Sequence, residues 1–234
     1  MFLDPLVNRA ASSLANYPDV LGYLTDARKF TKGEINSYRL GHTAVPFLPL
    51  SNDPEEDDFR EVTRNLFFLK NRVIIPLENS VGLVNGLITR SLEKETKFRY
   101  GHYYLKEAKQ IGAFFGLRQA LPHILAKGVV YVTEGAFDCI SIARHFPNTV
   151  STLTSNINEE QMFTLRMIAD NIVMVFDPDK AGREGVQSVF TKFGRKGIYS
   201  REFGHKDPNA YLVKHGDEAF KKALSNTLGS LALF

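Results

Sequence analysis

The second half of this chain alternates between short apolar segments and amphipathic segments, and this rhythm limits the fold more than any other feature. Strands are predicted at 129–133, 148–152, 171–176 and 196–200. The intervening helices are predicted at about 136–145, 158–169 and 181–193. Because strands joined by crossover helices form right-handed parallel units, this spacing predicts an α/β domain. We expect a mainly parallel four-stranded sheet with helices on both faces.

The first half predicts a different, mixed α+β architecture. Residues 1–30 have a loose helical periodicity, and Thr31 with Glu34 fits a capping box at the start of a short helix. Two apolar segments, at 72–76 and 82–90, are typical of a β-hairpin. We therefore place a domain boundary near Lys127-Gly128. The predicted domains are 1–127 (mixed α+β), 128–215 (α/β) and 216–234 (a short helical tail).

Composition excludes several classes of protein. The chain is 44% hydrophobic and 24% charged, which is ordinary globular composition. Its apolar runs stay short of the roughly 18 residues that a membrane span needs, and the N-terminus has no signal-peptide pattern. Cys139 is the single cysteine, so an internal disulfide and a multi-cysteine zinc module are both excluded. A cytoplasmic protein without zinc and without a membrane partner is expected.

Charge is unevenly spread along the chain. Residues 53–61 carry six acidic residues against one arginine, which predicts a solvated loop. Residues 90–127 carry eight basic residues against three acidic ones, interleaved with phenylalanine and tyrosine. That mixture suits a phosphate backbone with stacked bases. A charged helix face with buried tyrosines explains it equally well, and both readings stay open.

Acidic residues follow the predicted strands in three clusters. Glu134 and Asp138 come after the first strand, Asp177 and Asp179 after the third, and Asp207 after the fourth. Because the carboxyl ends of parallel strands meet at one edge, these carboxylates are expected to converge. Carboxylate oxygens suit Mg²⁺ or Mn²⁺ better than zinc. Taken singly, each acid also fits an ordinary helix cap or Asx-turn.

The order of these clusters resembles the TOPRIM domain of DnaG-type primases, topoisomerases and small nucleases. The residues that carry the resemblance are Glu134-Gly-x-x-Asp138, Phe176-Asp-Pro-Asp-Lys-Ala-Gly-Arg183 and Lys206-Asp-Pro208. The second of these strings is most similar to the primase branch. The resemblance implies a TOPRIM fold (Rossmann-like) for the second domain and a primase N-terminal subdomain before it.

Segments of the first half resemble bacterial primases as well. They are Tyr23-Leu-x-x-x-Arg28, Leu40-Gly41, Arg72-Val-Ile-Ile-Pro76, Gly86-Leu-Ile-Thr-Arg90, Lys97-Phe-Arg-Tyr100 and Phe114-Phe-Gly-Leu117 with Ala120. The resemblance thus extends from about residue 20 to about residue 215.

The chain departs from the bacterial pattern in two ways. Position 209 is Asn, where bacterial primases commonly have a second Asp in the third motif. The template-reading zinc domain and most of the C-terminal modules have no counterpart in the sequence. A stripped-down enzyme of bacteriophage or mobile-element origin and an isolated core both fit these departures.

The resemblance implies a DNA primase that makes RNA primers by nucleotidyl transfer. It implies catalysis by Glu134, Asp177 and Asp179, and two Mg²⁺ or Mn²⁺ ions bound by Glu134, Asp138, Asp177, Asp179 and Asp207. Candidates for binding nucleic acid or nucleotide are Arg72, Arg90, Lys97, Arg99, Lys109 and Lys180. The implied partners are a single-stranded DNA template, ribonucleoside triphosphates, and a replicative helicase or a separate zinc-bearing subunit.

Two other functions remain open from the sequence. A TOPRIM nuclease would use the same acids with water as the nucleophile. A non-catalytic single-strand-binding module of the replisome would keep the fold alone. Synthesis of RNA from added ribonucleotides would distinguish a primase from both of these alternatives.

Overall fold

The computed structural model describes residues 3–42, 72–93, 96, 99–104, 113–203 and 207–229. The chain forms two compact units. The first comprises Met1–Leu77 and Leu83–Ala108, and the second comprises Glu78–Gly82 and Lys109–Phe234. The acidic run at 53–61 lies outside the described residues.

Short helices form the start of the first unit. They are α1 (Leu3–Ser13), a 3₁₀ turn (Leu14–Asn16), α2 (Pro18–Gly22), a π-helical turn (Tyr23–Ala27) and α3 (Lys32–Ser37). The capping box at α3 is confirmed. The Glu34 backbone N–H donates to Thr31 Oγ1 at 3.1 Å, and the Thr31 N–H donates to Glu34 Oε2 at 2.7 Å.

A three-stranded sheet completes the first unit, in the order β1-β2-β3. Its strands are β1 (Arg72–Glu78), β2 (Val84–Ser91) and β3 (Tyr100–Tyr104). β2 and β3 are antiparallel, with Arg90 opposite Tyr100. The first two strands confirm the predicted strand pair, whereas β3 was not predicted because it lies within the basic stretch. Apolar side chains of α1 pack on the sheet in a core that includes Leu6, Val7 and Leu87.

The second unit contains a four-stranded parallel sheet in the order β5-β4-β6-β7. The strands are β4 (Val129–Thr133), β5 (Thr149–Ser151), β6 (Asn171–Val175) and β7 (Ile198–Ser200). All four fall within the predicted segments, so the parallel α/β fold is confirmed.

Helices cover both faces of this sheet, as predicted. They are α4 (Leu117–Lys127), α5 (Ala136–Ala143), α6 (Glu159–Ile168), α7 (Lys180–Phe193), α8 (Pro208–His215) and α9 (Asp217–Leu228). α4, α6 and α7 bury residues against Val130 and Val132. α5, α8 and α9 bury residues against Val129 and Tyr131. Successive side chains of β4 point to opposite faces of the sheet and therefore pack in two separate cores. α4 precedes the boundary predicted near residue 127, yet it lies in the second unit.

Among the helices of the described residues, none is both long enough and apolar enough to cross a membrane.

Candidate active site

Glu134 and Asp177 lie together at the carboxyl edge of the parallel sheet. They follow β4 and β6, which are adjacent strands with Thr133 opposite Val175. The Asp177 backbone N–H donates to Glu134 Oε1 at 2.9 Å. Glu134 is therefore held across the gap between the two strand ends, as the convergence of the acidic clusters predicted.

Gly182 allows this close approach at the start of α7. A Cβ at this position would lie 2.7 Å from Glu134 Oε1 and would overlap the backbone carbonyl of Asp177. The glycine of the Asp-Lys-Ala-Gly string is thus required by packing against the acids, beyond any requirement of the turn.

Electrostatic repulsion and burial act on these acids in the same direction. The pKa of Glu134 is raised to about 7, mainly by burial and also by the nearby Asp177 and Asp179 carboxylates, whereas the hydrogen bond from the Asp177 backbone lowers it. The pKa of Asp177 is raised to about 6, mainly by burial and also by the nearby Asp207 and Asp179 carboxylates. Glu134, Asp177, Asp179 and Asp207 therefore form one interacting group, which we call the carboxylate group.

Asp179 and Asp207 also cap helices. An Asp179 carboxylate oxygen accepts the Gly182 N–H at 2.9 Å at the start of α7. An Asp207 oxygen accepts the Ala210 N–H at 2.5 Å at the start of α8. The helix-cap reading of these two acids is thus realised together with their convergence. Each cap uses one oxygen of its carboxylate.

Asp138 differs from the other four acids. Its Oδ1 accepts the backbone N–H of Asn209 at 3.0 Å, which joins α5 to the first turn of α8. It does not contribute to the raised pKa of Glu134 or Asp177. Asp138 is therefore not counted in the carboxylate group, although it lies only four residues after Glu134 in the sequence.

The carboxylate group suits a hard divalent cation. Within the described parts of the chain, no three His, Cys, Asp or Glu side chains form a ready-made sphere for one metal ion. The donors are oxygen alone, which is the preference of Mg²⁺ and Mn²⁺. A cation would also relieve the mutual repulsion that, after burial, raises the pKa of Glu134 and Asp177. The donor chemistry fits, although the ligand geometry is not already formed.

A small cleft of about 70 Å³ opens beside Asp177. It is lined by Phe176, Asp177, Gly182, Arg183, Val186, Ser200 and Glu202. Arg183 Nη2 donates to the Pro178 carbonyl at 2.5 Å, and its Nη1 lies 3.6 Å from Glu202. Arg183 thus braces the Asp-Pro-Asp turn, a role that sequence reasoning missed although Arg183 ends the motif string.

Lys180, a predicted nucleotide-binding residue, begins α7 directly after Asp179. Its side chain is 89% exposed, and its ammonium lies 3.7 Å from Glu184. An exposed pair at this distance contributes little to stability, so the lysine can reach a ligand at little cost.

Three of the predicted basic residues lie on or next to the strands of the first unit: Arg72 on β1, Arg90 on β2 and Arg99 directly before β3. Arg72 is buried and donates to Thr89 Oγ1 at 3.4 Å and to the Arg99 carbonyl at 3.5 Å. Arg90 is also buried, and its guanidinium lies 4.9 Å from the centre of the Tyr100 ring. Arg99 is exposed. Lys97 and Lys109 lie outside the described residues.

We call Arg72, Arg90 and Arg99 the arginine cluster. Tyr23 and Arg28 lie beside it, and the sequence did not indicate either residue as part of the site. Arg28 Nε donates to the Tyr23 hydroxyl at 2.9 Å, and Tyr23 also hydrogen bonds to Arg90. Burial lowers the pKa of Arg90, as do the nearby Arg28 and Arg99, whereas Tyr23 raises it. Tyr23 begins the π-helical turn Tyr23–Ala27, a type of turn that is often found at functional sites. No sequence pattern predicts such a turn, so the sequence did not indicate the role of Tyr23.

Comparison with known proteins gives three kinds of match. The profile of the Toprim-like family matches residues 131–212. The DNA primase of Clostridium acetobutylicum is 27% identical over 163 residues, which cover 68% of this chain and 27% of that protein. The DNA primase of Halalkalibacterium halodurans is 26% identical over 216 residues, which cover 84% of this chain and 36% of that protein. The chain therefore spans only about a third of these curated relatives.

Solved structures match nearly the whole chain. The Aquifex aeolicus primase, with its zinc-binding and RNA polymerase domains, has a TM-score of 0.76 at 20% identity, covering 96% of this chain and 60% of that one. A DnaG primase catalytic domain bound to single-stranded DNA has a TM-score of 0.75 at 20% identity, covering 96% and 79%. These findings confirm the predicted resemblance: residues 131–212 match the Toprim-like family, and the chain has the fold of the DnaG-type primase catalytic core.

Proposed function

We propose that this chain is the catalytic core of a DNA primase, which makes short RNA primers on single-stranded DNA by metal-dependent nucleotidyl transfer. The observation that carries the proposal is the carboxylate group at the edge of a Toprim-like sheet, on a primase-core fold. The similarity to curated DNA primases supports the same activity.

The carboxylate group would hold two Mg²⁺ or Mn²⁺ ions. When bound, such ions activate a 3′-hydroxyl and neutralise the triphosphate and the leaving pyrophosphate. Glu134 and Asp177 supply ligand oxygens from two strand ends, and Asp179 and Asp207 supply the oxygens that their helix caps leave over. In the reaction, the primer 3′-hydroxyl would lose its proton to water, its oxygen would bond to the α-phosphorus of the incoming nucleotide, and the bond from that phosphorus to the departing pyrophosphate would break.

The arginine cluster would bind the phosphates of the template or the nucleotide. Arg72, Arg90 and Arg99, with Lys97, Lys109 and Lys180, are the proposed contacts. Arginine suits this role because its planar guanidinium donates two parallel hydrogen bonds to a phosphate. The single-stranded DNA in one matched DnaG structure supports a single-stranded template here. A replicative helicase and a separate zinc-bearing subunit are proposed as further partners.

A priming assay on defined single-stranded templates tests the proposal. Wild-type protein with ribonucleotides and Mg²⁺ or Mn²⁺ should make short RNA, and Asp177→Asn should lower the rate on the order of 10²-fold or more. Glu160→Gln, an exposed acid in the first turn of α6, is the matched control and should keep the wild-type rate.

Two results would replace the proposal with an alternative. Cleavage of nucleic acid without added nucleotides, lost in Asp177→Asn, would identify a nuclease that uses the same acids. Metal-independent DNA binding with no product from any nucleotide mixture would identify a binding module.

A further inference from the structure

The amino end of α8 is tied to α5 by side chains that the proposed reaction does not use. The Asn209 backbone N–H donates to Asp138 Oδ1 at 3.0 Å. The Asn209 side-chain Nδ2 donates to Ser141 Oγ at 3.0 Å, and Ser141 Oγ donates to the Phe137 carbonyl at 2.8 Å. We call these three side chains the Asp138–Ser141–Asn209 network.

The network is built inside the protein rather than on its surface. Asn209 is 1% exposed and Ser141 is fully buried. Because buried polar groups cost free energy unless they are hydrogen bonded, each bond here is needed to offset desolvation. Asp138 Oδ2 in turn lies over Gly135, where a Cβ would come within 2.6 Å of it.

The hydrogen-bond directions explain why position 209 carries an amide. The Ser141 hydroxyl proton already goes to the Phe137 carbonyl, so the group at 209 must donate to Ser141 Oγ. A carboxylate cannot donate, and at 209 it would also place a buried negative charge near the half-buried Asp138. The departure from the Asp-Pro-Asp pattern thus has a local physical reason.

The network also supplies a hydrogen-bond acceptor for a backbone N–H group in the first turn of α8. A helix leaves its first N–H groups without partners in its own backbone. Pro208 has no N–H, Ala210 donates to Asp207, and Asn209 donates to Asp138 on the neighbouring helix. Two hydrogen bonds thus fix the position of Asp207. One is its own helix cap, and the other joins Asn209, two residues later, to Asp138 on α5.

We propose that Asp138, Ser141 and Asn209 are positioning residues, which hold the first turn of α8 so that Asp207 stands beside Asp177, and that Asp138 is not itself a metal ligand. The inference rests on the proposed cation site and deepens it. It removes one of the five carboxylates that the sequence indicated and assigns to Asn209 a role other than that of a lost ligand.

Isosteric substitutions separate a positioning acid from a ligand. Asp138→Asn keeps an oxygen that accepts the Asn209 N–H, whereas Asp138→Ala removes it. Mn²⁺ binding to the full chain, measured by calorimetry, should stay within about twofold of wild type in Asp138→Asn and weaken roughly tenfold in Asp138→Ala. Asp177→Asn, which removes a proposed ligand charge, should abolish binding. Asn209→Asp should weaken it as Asp138→Ala does.

Hydrogen exchange gives a second measurement that needs no metal. The backbone N–H groups of Asn209 and Ala210 should exchange faster in Asp138→Ala than in wild type, and Asp138→Asn should restore their protection. Asp138→Asn is the variant expected to fold if the alanine variant does not.

The outcomes distinguish failure of this inference from failure of the proposed function. If Asp138→Asn loses Mn²⁺ as completely as Asp177→Asn, Asp138 is a ligand and the inference is wrong. Unchanged exchange and Mn²⁺ binding in Asp138→Ala, with binding lost in Asp177→Asn, would overturn the positioning role alone. Wild-type Mn²⁺ affinity in Asp177→Asn would overturn the cation site, and with it both the proposed function and this inference.

Discussion

At the scale of single residues, burial and like charge at the carboxylate group lower the stability of the metal-free protein but favour binding of a cation. Glu134 and Asp177 are pushed towards the protonated state by burial and by neighbouring carboxylates. Such an arrangement destabilises the metal-free fold at neutral pH, and it is the arrangement that a bound cation would stabilise. Acids with this strain are candidates for function rather than for structure.

The metal-free protein should therefore lose stability as pH rises. The pKa of Glu134 is raised from 4.5 to about 7 and that of Asp177 from 3.8 to about 6. Their stabilising contribution is fully present below about pH 4 and is lost as pH rises through 6 to 7. Thermal melts in chelator should show Tm falling from pH 5 to pH 8.

Variants and metal test the origin of that slope. Glu134→Gln and Asp177→Asn should flatten it, Glu160→Gln should leave it unchanged, and Mg²⁺ should restore Tm most strongly at pH 8. A Tm that is constant or rises between pH 5 and 8 in the wild-type protein would show that these two acids are not held in the protonated state.

Gly182 supplies a second prediction at this scale. Gly182→Ala places a Cβ against the Asp177 carbonyl and Glu134 Oε1. The overlap should cost about 1–3 kcal/mol of unfolding free energy and should also displace the acids. Urea unfolding and the priming assay measure the two effects. Gly229→Ala, where a Cβ meets nothing within 4 Å, is the matched control.

At the scale of elements, the π-helical turn Tyr23–Ala27 links two parts of the first unit. It places the Tyr23 hydroxyl where it hydrogen bonds both Arg28 and Arg90. The guanidinium of Arg90 also lies 4.9 Å from the centre of the Tyr100 ring. The turn therefore restrains an arginine that the proposed function uses for binding.

Removing the Tyr23 hydroxyl should weaken binding of single-stranded DNA more than it weakens the fold. Tyr23→Phe keeps the ring but loses the hydrogen bonds, so we expect affinity to fall roughly 2- to 10-fold. Fluorescence anisotropy at two salt concentrations measures this. Tyr199→Phe on β7 controls for loss of a phenol hydroxyl. Wild-type affinity in Tyr23→Phe would show that the link to Arg90 does not matter for binding.

At the scale of the whole molecule, the parallel sheet of the second unit owes its stability to two apolar cores. The helix α9 closes one of them through Phe220, Leu224 and Leu228, all fully buried. α9, which lies within the segment predicted as a short helical tail, is thus part of the second unit's core.

Phe220→Ala should destabilise the protein by about 3–5 kcal/mol, because it deletes a fully buried aromatic side chain. Val213→Ala on α8, whose side chain is 36% exposed, should change stability by less than about 0.5 kcal/mol. Urea unfolding followed by circular dichroism compares the two. Equal effects would mean that α9 does not contribute to the core in solution.

Sequence alone predicted the four strands of the second unit and the helices between them, and it placed acids at the ends of β4 and β6. This was possible because alternation, glycine turns and helix caps are local patterns. It did not determine β3, whose partner is another segment of the chain, or the π-helical turn that joins Tyr23 to Arg90. Only the tertiary structure decided that Asp207 stands with Asp177 while Asp138 bonds to Asn209, 71 residues away. Which acids face one another depends on how α5 and α8 pack, and that packing is set by contacts between residues far apart in sequence.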